Sequence, residues 1–195
     1  MMENIEPLGR MPGWLDETAR ALQGVRRDAG DEDGHLTITI KGSSREISAL
    51  LRSRLLDGML KYRAALHAAG LVTGFQWIDG SFLEHVEHLA GRAPNDVDIV
   101  TFYRIAPGDT PDIVLARNPD LFDRVKAKAT FKVDAFLVPL DADAAFLVAN
   151  SAYWYGVWSH RRDFSWKGFV EVDLTPAETP ALDLLKTLPA AGATP

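Results

Sequence analysis

Residues 77–103 read WIDGSFLEHVEHLAGRAPNDVDIVTFY, and the fold turns on how this stretch divides. FQWID, residues 75–79, carries the aromatic and β-branched content of a short strand and stops at Gly80. DVDIVTFY, residues 96–103, has the composition of a buried strand. Between them SFLEHVEHLA predicts a helical turn or two opening at Ser81, followed by the loop GRAPN. Residues two apart on a strand face the same way, so Asp96 and Asp98 make one negative pair with Cα atoms about 7 Å apart. Val97, Ile99 and Val100 mark the strand as buried, and buried carboxylates need cations, metals or strong hydrogen bonds.

Upstream, Leu51, Leu55, Met59, Tyr62 and Leu66 recur at helical spacing and predict a helix over 44–67, with Arg52, Arg54, Lys61 and Arg63 on its other faces. Gly70 and Gly74 are expected to stop it. Downstream, TPDIVLARNPDLFDRVKAK predicts a helix, TFKVDAFLVPL a strand, DADAAFLVANSAYWYGVW an aromatic-rich helix and KGFVEVDL a strand. Residues 1–43 form a lead-in with a short helix at 14–27 and a strand or extended arm in HLTITIKG, residues 35–42. Residues 44–174 form the domain, and 175–195 a Pro- and Ala-rich tail with one short helix at most. The expected class is α/β (α+β), a mixed sheet of about four or five strands flanked by helices.

Composition narrows the chemistry. The chain has 195 residues, 47% of them hydrophobic, enough for one ordinary domain with a real core. A net charge of −6 argues against coating nucleic acid by phosphate neutralisation. With no cysteine, disulfides, thiolate zinc sites and cysteine nucleophiles are excluded. Neither a secretory leader nor an apolar run near membrane-spanning length is read, so a cytoplasmic protein without membrane attachment is expected.

Asp134, in FKVDAFLV, sits in the same apolar setting as the first pair, and adjacent strands would bring it beside them. Three carboxylates at one sheet edge suit Mg²⁺ or Mn²⁺, hard ions that keep waters and engage phosphates. Gly80 permits a tight turn and close approach of a ligand, and Ser81 at a helix start would offer free N–H groups to an anion. Ser81 with Glu84 is equally a capping box, and Asp96 after Pro94-Asn95 equally a turn residue. Asp79 before Gly80 reads as a turn former. His85 and His88, with Glu84 and Glu87 between and beside them, read as a solvated face and not as a zinc site. Trp154, Tyr155 and Trp158 could stack a base, although aromatics at helical spacing are more often core. SHRRDFSWKG brings Arg161, Arg162 and Lys167 among aromatics, either as an ordinary surface loop or as cations for a triphosphate or an RNA.

WIDGSFLE, NDVDIV and KVDAFLV together resemble the DNA polymerase β-like nucleotidyltransferase superfamily, whose pattern is strand, Gly-Ser turn, Asp-x-Asp strand and a third Asp on a later strand. Residues 54–82 and 159–174 resemble more narrowly a group of small bacterial nucleotidyltransferase-like proteins of the DUF6932 type. The resemblance implies that Gly80 and Ser81 hold phosphates of a nucleotide; Lys167 and Arg162, from the cation-bearing loop, are the further candidate nucleotide-binding residues. It implies that Asp96, Asp98 and Asp134 bind Mg²⁺ or Mn²⁺ and act as the catalytic residues. The reaction would move a nucleoside monophosphate from a nucleoside triphosphate to a protein, tRNA or small-molecule hydroxyl, releasing pyrophosphate. A toxin–antitoxin or phage-defence role, with a cognate antitoxin or partner protein, follows by analogy. Fourteen residues separate Ser81 from Asp96, longer than in the compact members. The rival readings are a non-catalytic nucleotide-binding or regulatory module of the same fold and a metal-dependent phosphohydrolase.

Overall fold

The computed structural model describes residues 45–187, so the short helix at 14–27 and the strand or arm at 35–42 lie outside the described residues. Helix α1 (Arg45–Ala68) precedes β1 (Thr73–Asp79), the short α2 (Val86–Ala90) and β2 (Val97–Arg104). Then come α3 (Pro111–Arg117), α4 (Pro119–Phe122), α5 (Arg124–Phe131), β3 (Val133–Pro139), α6 (Ala144–Trp158), β4 (Val170–Asp173) and α7 (Thr179–Thr187). The four strands form one mixed sheet in the order β3-β2-β1-β4. β1 runs antiparallel to both β2 and β4, and β2 runs parallel to β3 through the helical crossover α3–α5. The α/β class with a mixed sheet flanked by helices stands as expected.

α1 ends where the sequence says it should. The Gly70 N–H bonds to the His67 carbonyl at 2.9 Å and the Leu71 N–H to the Leu66 carbonyl at 2.9 Å, with Gly70 at φ 85°. This is the paired closure of a Schellman motif, and buried Leu71 supplies its apolar contact. Gly74 plays a different part from the expected one. It lies inside β1, at φ 137°, where a Cβ would come within 2.0 Å of the Phe102 carbonyl oxygen. The strand therefore begins two residues before FQWID.

The single helix expected over 110–128 is three. Pro111 and Pro119 each occupy a first helical turn, where their missing N–H costs nothing, and Pro119 interrupts the ladder of the helix before it. Asp123 restarts the chain by accepting from the Val125 and Lys126 N–H groups at 2.9 and 3.1 Å. Thr130 and Phe131, read as strand, finish α5 instead, and Lys132 at φ 59° turns the chain into β3.

The sheet buries both faces. On one, Ile78, Val97, Ile99, Tyr103, Val133 and Ala135 pack against Leu55, Leu56, Met59, Tyr62 and Leu66 of α1. On the other, Val100, Phe102 and Val138 meet Trp154 and Trp158 of α6, with Phe75, Trp77, Phe136 and Phe169 packed around them. Trp154 and Trp158 are thus core, and their base-stacking reading falls away because their rings lie against Phe136 and Phe169. Tyr155 remains exposed.

Arg63 corrects the expectation that it faces away from the core. It is only 4% exposed and donates from Nε to Glu178 at 2.8 Å, from Nη1 to Gln76 Oε1 at 2.6 Å and from Nη2 to the Asp173 carbonyl at 2.9 Å. Fully buried Gln76 passes the network on, donating to Thr101 Oγ1 at 2.9 Å. A basic residue on an otherwise apolar stripe is thereby satisfied on every side, because α7 and the segment before it close over α1.

Candidate functional site: a carboxylate row at one end of the sheet

Strand register builds the site. Asp79 pairs with Asp98 across β1 and β2, and Asp98 with Asp134 across β2 and β3. Residues directly opposite share a face, so these three carboxylates form one row across neighbouring strands spaced about 4.8 Å apart. The next row on that face is Trp77, Val100 and Phe136, and the next Phe75, Phe102 and Val138. The acids therefore finish the aromatic face that α6 covers. Asp96, two residues before Asp98, joins them, for the Lys128 ammonium ion-pairs with both Asp96 and Asp134.

The structure thus brings Asp96, Asp98 and Asp134 to one end of the sheet and adds Asp79, which reads as a turn former in the sequence. Its strand context carries the signal that would have found it: in WID, VDI and VDA an acid directly follows a β-branched residue, at the same end of adjacent strands.

Each acid has a different electrostatic setting. Asp134 accepts both Arg124 Nε and, at 2.8 Å, Arg124 Nη2, with Lys128 at 3.2 Å. Those hydrogen bonds, Arg124 first, hold its carboxyl below the usual aspartate range. The Arg124 guanidinium also lies over the Phe136 ring at 4.3 Å. Asp98 has no ion pair among the described residues. Burial, then the charges of Asp96 and Asp134, push its carboxyl up. Asp79 is 2% exposed; Lys167 Nζ holds its Oδ2 at 2.7 Å, while its Oδ1 has no protein partner. Burial pushes the Asp79 carboxyl up to about 6, against the opposing pull of Lys167.

The sign of the Asp79 effect on stability follows directly. Between the ordinary aspartate value of about 3.9 and the folded value of about 6, the folded chain retains a proton that the unfolded chain has released. Stability from this group is present below that window and falls as pH rises through it, by on the order of 3 kcal/mol. Asp98 adds to the same slope. Asp134, with its lowered value, acts oppositely and only below the ordinary aspartate range. Thermal melting at a series of pH values should show the decline in wild type and a flatter profile in Asp79→Asn; equal slopes would refute the assignment.

The Gly-Ser turn differs from the expected helix start. Residues 81–85 form turns, with the Leu83 N–H bonded to the Gly80 carbonyl at 3.1 Å, and α2 begins only at Val86, with His85 at its N-cap and no side-chain cap. A five-residue helix that far from Ser81 provides no aligned N–H groups there, so the anion cradle at a helix start is not formed, nor is the capping box. Glu84 instead accepts from Arg161 Nε at 2.8 Å and lies 3.4 Å from Lys167 Nζ. Gly80 does admit a close approach, but by Asp98 and not by a ligand: at φ 83°, a Cβ there would lie 1.8 Å from Asp98 Oδ2. Ser81 stays half-buried beside it.

A small hairpin supplies the cations. Arg161 N–H bonds to the Ser165 carbonyl at 2.8 Å and Lys167 N–H to the Ser159 carbonyl at 2.9 Å, closing a loop around a His160–Trp166 bridge. Arg161 and Lys167 face Glu84 and Asp79, whereas Arg162 is exposed and makes none of these contacts. From the opposite side Arg52 pairs with Glu87 and donates to the Glu84 carbonyl at 2.7 Å, so the turn after Gly80 is gripped from both α1 and the hairpin. His85 and His88 stack on each other at 5.7 Å and are exposed.

Beside the row an open pocket of about 490 Å³ is lined by Asn95, Asp96, Arg124, Lys128, Lys132 and Asp134 among others. All the donors in the row are carboxylate oxygens, the chemistry a hard divalent cation takes. As placed, no three acidic or histidine side chains among the described residues converge on one ion, because the Lys128 ammonium stands between Asp96 and Asp134. Lys128 and Arg124 are about half exposed on flexible stems, and neither is locked in by burial.

Fold and site together define an α/β protein whose mixed sheet ends in a row of acids flanked by cations. The chain belongs to the family of unknown function DUF6932, whose model matches residues 37–173. No curated protein and no solved structure matches it.

Proposed function

We propose that the protein is a metal-dependent nucleotidyltransferase that moves a nucleoside monophosphate from a nucleoside triphosphate to a hydroxyl acceptor. One observation carries the reading: Asp98, the central acid of the row, makes no ion pair among the described residues and lies beside a glycine turn, while Lys128, Arg124 and Lys167 pair with the acids next to it. Asp96, Asp98 and Asp134 would hold Mg²⁺ or Mn²⁺, and such ions stabilise both the entering and leaving oxygens of an in-line displacement. Gly80, having no Cβ, leaves room for the Asp98 carboxylate beside the turn. Lys167 and Arg161, already turned toward the row, neutralise phosphate charge, and Lys128 and Arg124 exchange their carboxylates for phosphate oxygens as the substrate enters. The acceptor is a protein, tRNA or small-molecule hydroxyl, and a cytoplasmic toxin–antitoxin or phage-defence module with a partner protein is the setting that fits. Among the described residues no helix is long and apolar enough to cross a membrane.

Incubation with α-labelled triphosphates and a cell lysate should transfer label to one macromolecule or metabolite and release pyrophosphate. Asp98→Asn should lower the rate by about 10²–10³-fold. Release of inorganic phosphate instead would identify a phosphohydrolase. The pairing of Asp96 and Asp134 with Lys128 and Arg124 favours a second reading, a nucleotide-binding module without turnover, and saturable triphosphate binding with no label transfer would establish it.

A further inference from the structure

The row has a fourth member that the resemblance does not account for, and its geometry differs from that of the other three. Asp79 is 2% exposed, yet only one of its two oxygens is engaged. Lys167, three residues before β4, takes Oδ2, and β4 flanks β1 on the edge away from β2. On the β2 side the in-register neighbour of Asp79 is Asp98. Asp98 in turn packs over Gly80, with Oδ2 where a side chain would otherwise begin, and among the described residues no ion pair reaches it. Two carboxylates thus lie side by side, with a buried oxygen on one lacking a hydrogen-bond partner and the other making no ion pair among the described residues. On the far side of the row the situation is reversed, since Asp96 and Asp134 already share Lys128 and Asp134 also holds Arg124.

A buried carboxylate oxygen without a donor is costly, and two adjacent ones repel. Magnesium-like ions are commonly held by only one or two carboxylates, with waters and substrate phosphates completing six oxygens. We propose that Asp79 and Asp98 together form a divalent-cation site at the β1–β2 end of the row, with Asp79 Oδ1 and the Asp98 carboxylate as its protein ligands. It rests on the nucleotidyltransferase reading only for the use made of the ion; the cation site itself requires no turnover. Lys167, held between Asp79 and Glu84, then stands next to the ion as the cation that meets the remaining phosphate charge.

Manganese(II) alone is the probe. A wild-type crystal soaked in Mn²⁺ should show an anomalous peak bridging Asp79 and Asp98, at about 2.0–2.3 Å from each carboxylate. A peak confined to the Asp96–Asp134 side, or no peak, overturns the site. In solution, titration followed by the resonance of free Mn²⁺ should show Asp79→Asn binding about 10- to 100-fold more weakly, and Asp57→Asn, a half-exposed acid paired with Lys61 outside the row, binding as wild type does. Wild-type affinity in Asp79→Asn overturns the proposal, and circular dichroism melts identify any variant that fails to fold, for which the wild-type crystal decides. A bridging peak with no label transfer keeps the site and removes the enzyme, whereas label transfer with the peak at Asp96–Asp134 does the opposite.

Discussion

Gly80→Ala is expected to abolish label transfer while leaving a folded, moderately destabilised protein. The added Cβ would meet Asp98 Oδ2 at 1.8 Å and its Cγ at 2.9 Å, so the carboxyl group as a whole must rotate away from its place in the row. Because the obstacle is a side-chain end and not backbone, the chain can accommodate it, at about 1–3 kcal/mol for the displaced group. The backbone at φ 83° adds about 1–2 kcal/mol for a residue with a Cβ. Urea unfolding should therefore report a loss of a few kcal/mol, and the transfer assay a rate near that of Asp98→Asn. Gly74→Ala is the control: there the Cβ would strike the Phe102 carbonyl at 2.0 Å, an obstacle that cannot rotate, so stability falls without any special effect on Asp98. Full transfer activity in a folded Gly80→Ala protein would show that the position of Asp98 does not matter to function.

Arg63→Ala should cost about 3–5 kcal/mol of folding stability, the range for removing one partner of a buried charged network. Three acceptors lose their donor at once: Glu178, the Gln76 amide oxygen and the Asp173 carbonyl. They belong to the segment before α7, to β1 and to the end of β4, so the loss loosens the seam where the last strand and helix join α1. Set against a total of about 5–15 kcal/mol for a typical domain, this is a large share. Chemical denaturation measures it, and a change below about 1 kcal/mol, the ordinary worth of a single hydrogen bond, would show that the network is not held as described.

The strands and the long helices were legible because their signals are local. Periodicity marks α1, β-branched content marks β2 and β3, and Gly70 closes α1 as a glycine at that position should. What went unread depends on partners distant in sequence. Nothing near Arg63 announces Glu178, 115 residues away, so a buried arginine looked like one more basic residue on a helix flank. Asp79 looked like a turn former because its neighbours Asp98 and Lys167 are supplied by register and by a hairpin that forms only in the folded chain. The three aspartates Asp96, Asp98 and Asp134 were readable from their apolar surroundings, but the cations that pair with two of them sit on α5, whose break from α4 at Asp123 sets which side Arg124 and Lys128 present. Ser81 was misplaced for a similar reason: Glu84 is taken by Arg161 and Lys167 before it can help start a helix.

The aromatic rows behind the acids have a kinetic consequence. Trp77, Phe102, Phe136, Trp154 and Phe169 interlock at ring separations of 4.4 to 4.8 Å, a stiff floor that leaves the strands little freedom to shift when something arrives above them. Whatever rearranges on the arrival of a charged guest is then confined to the long stems of Lys128 and Arg124. Exposed side chains of that kind change rotamer in picoseconds to nanoseconds. On the nucleotidyltransferase reading, admission to this end of the sheet would depend on swinging side chains, a step too fast to set a ceiling on turnover.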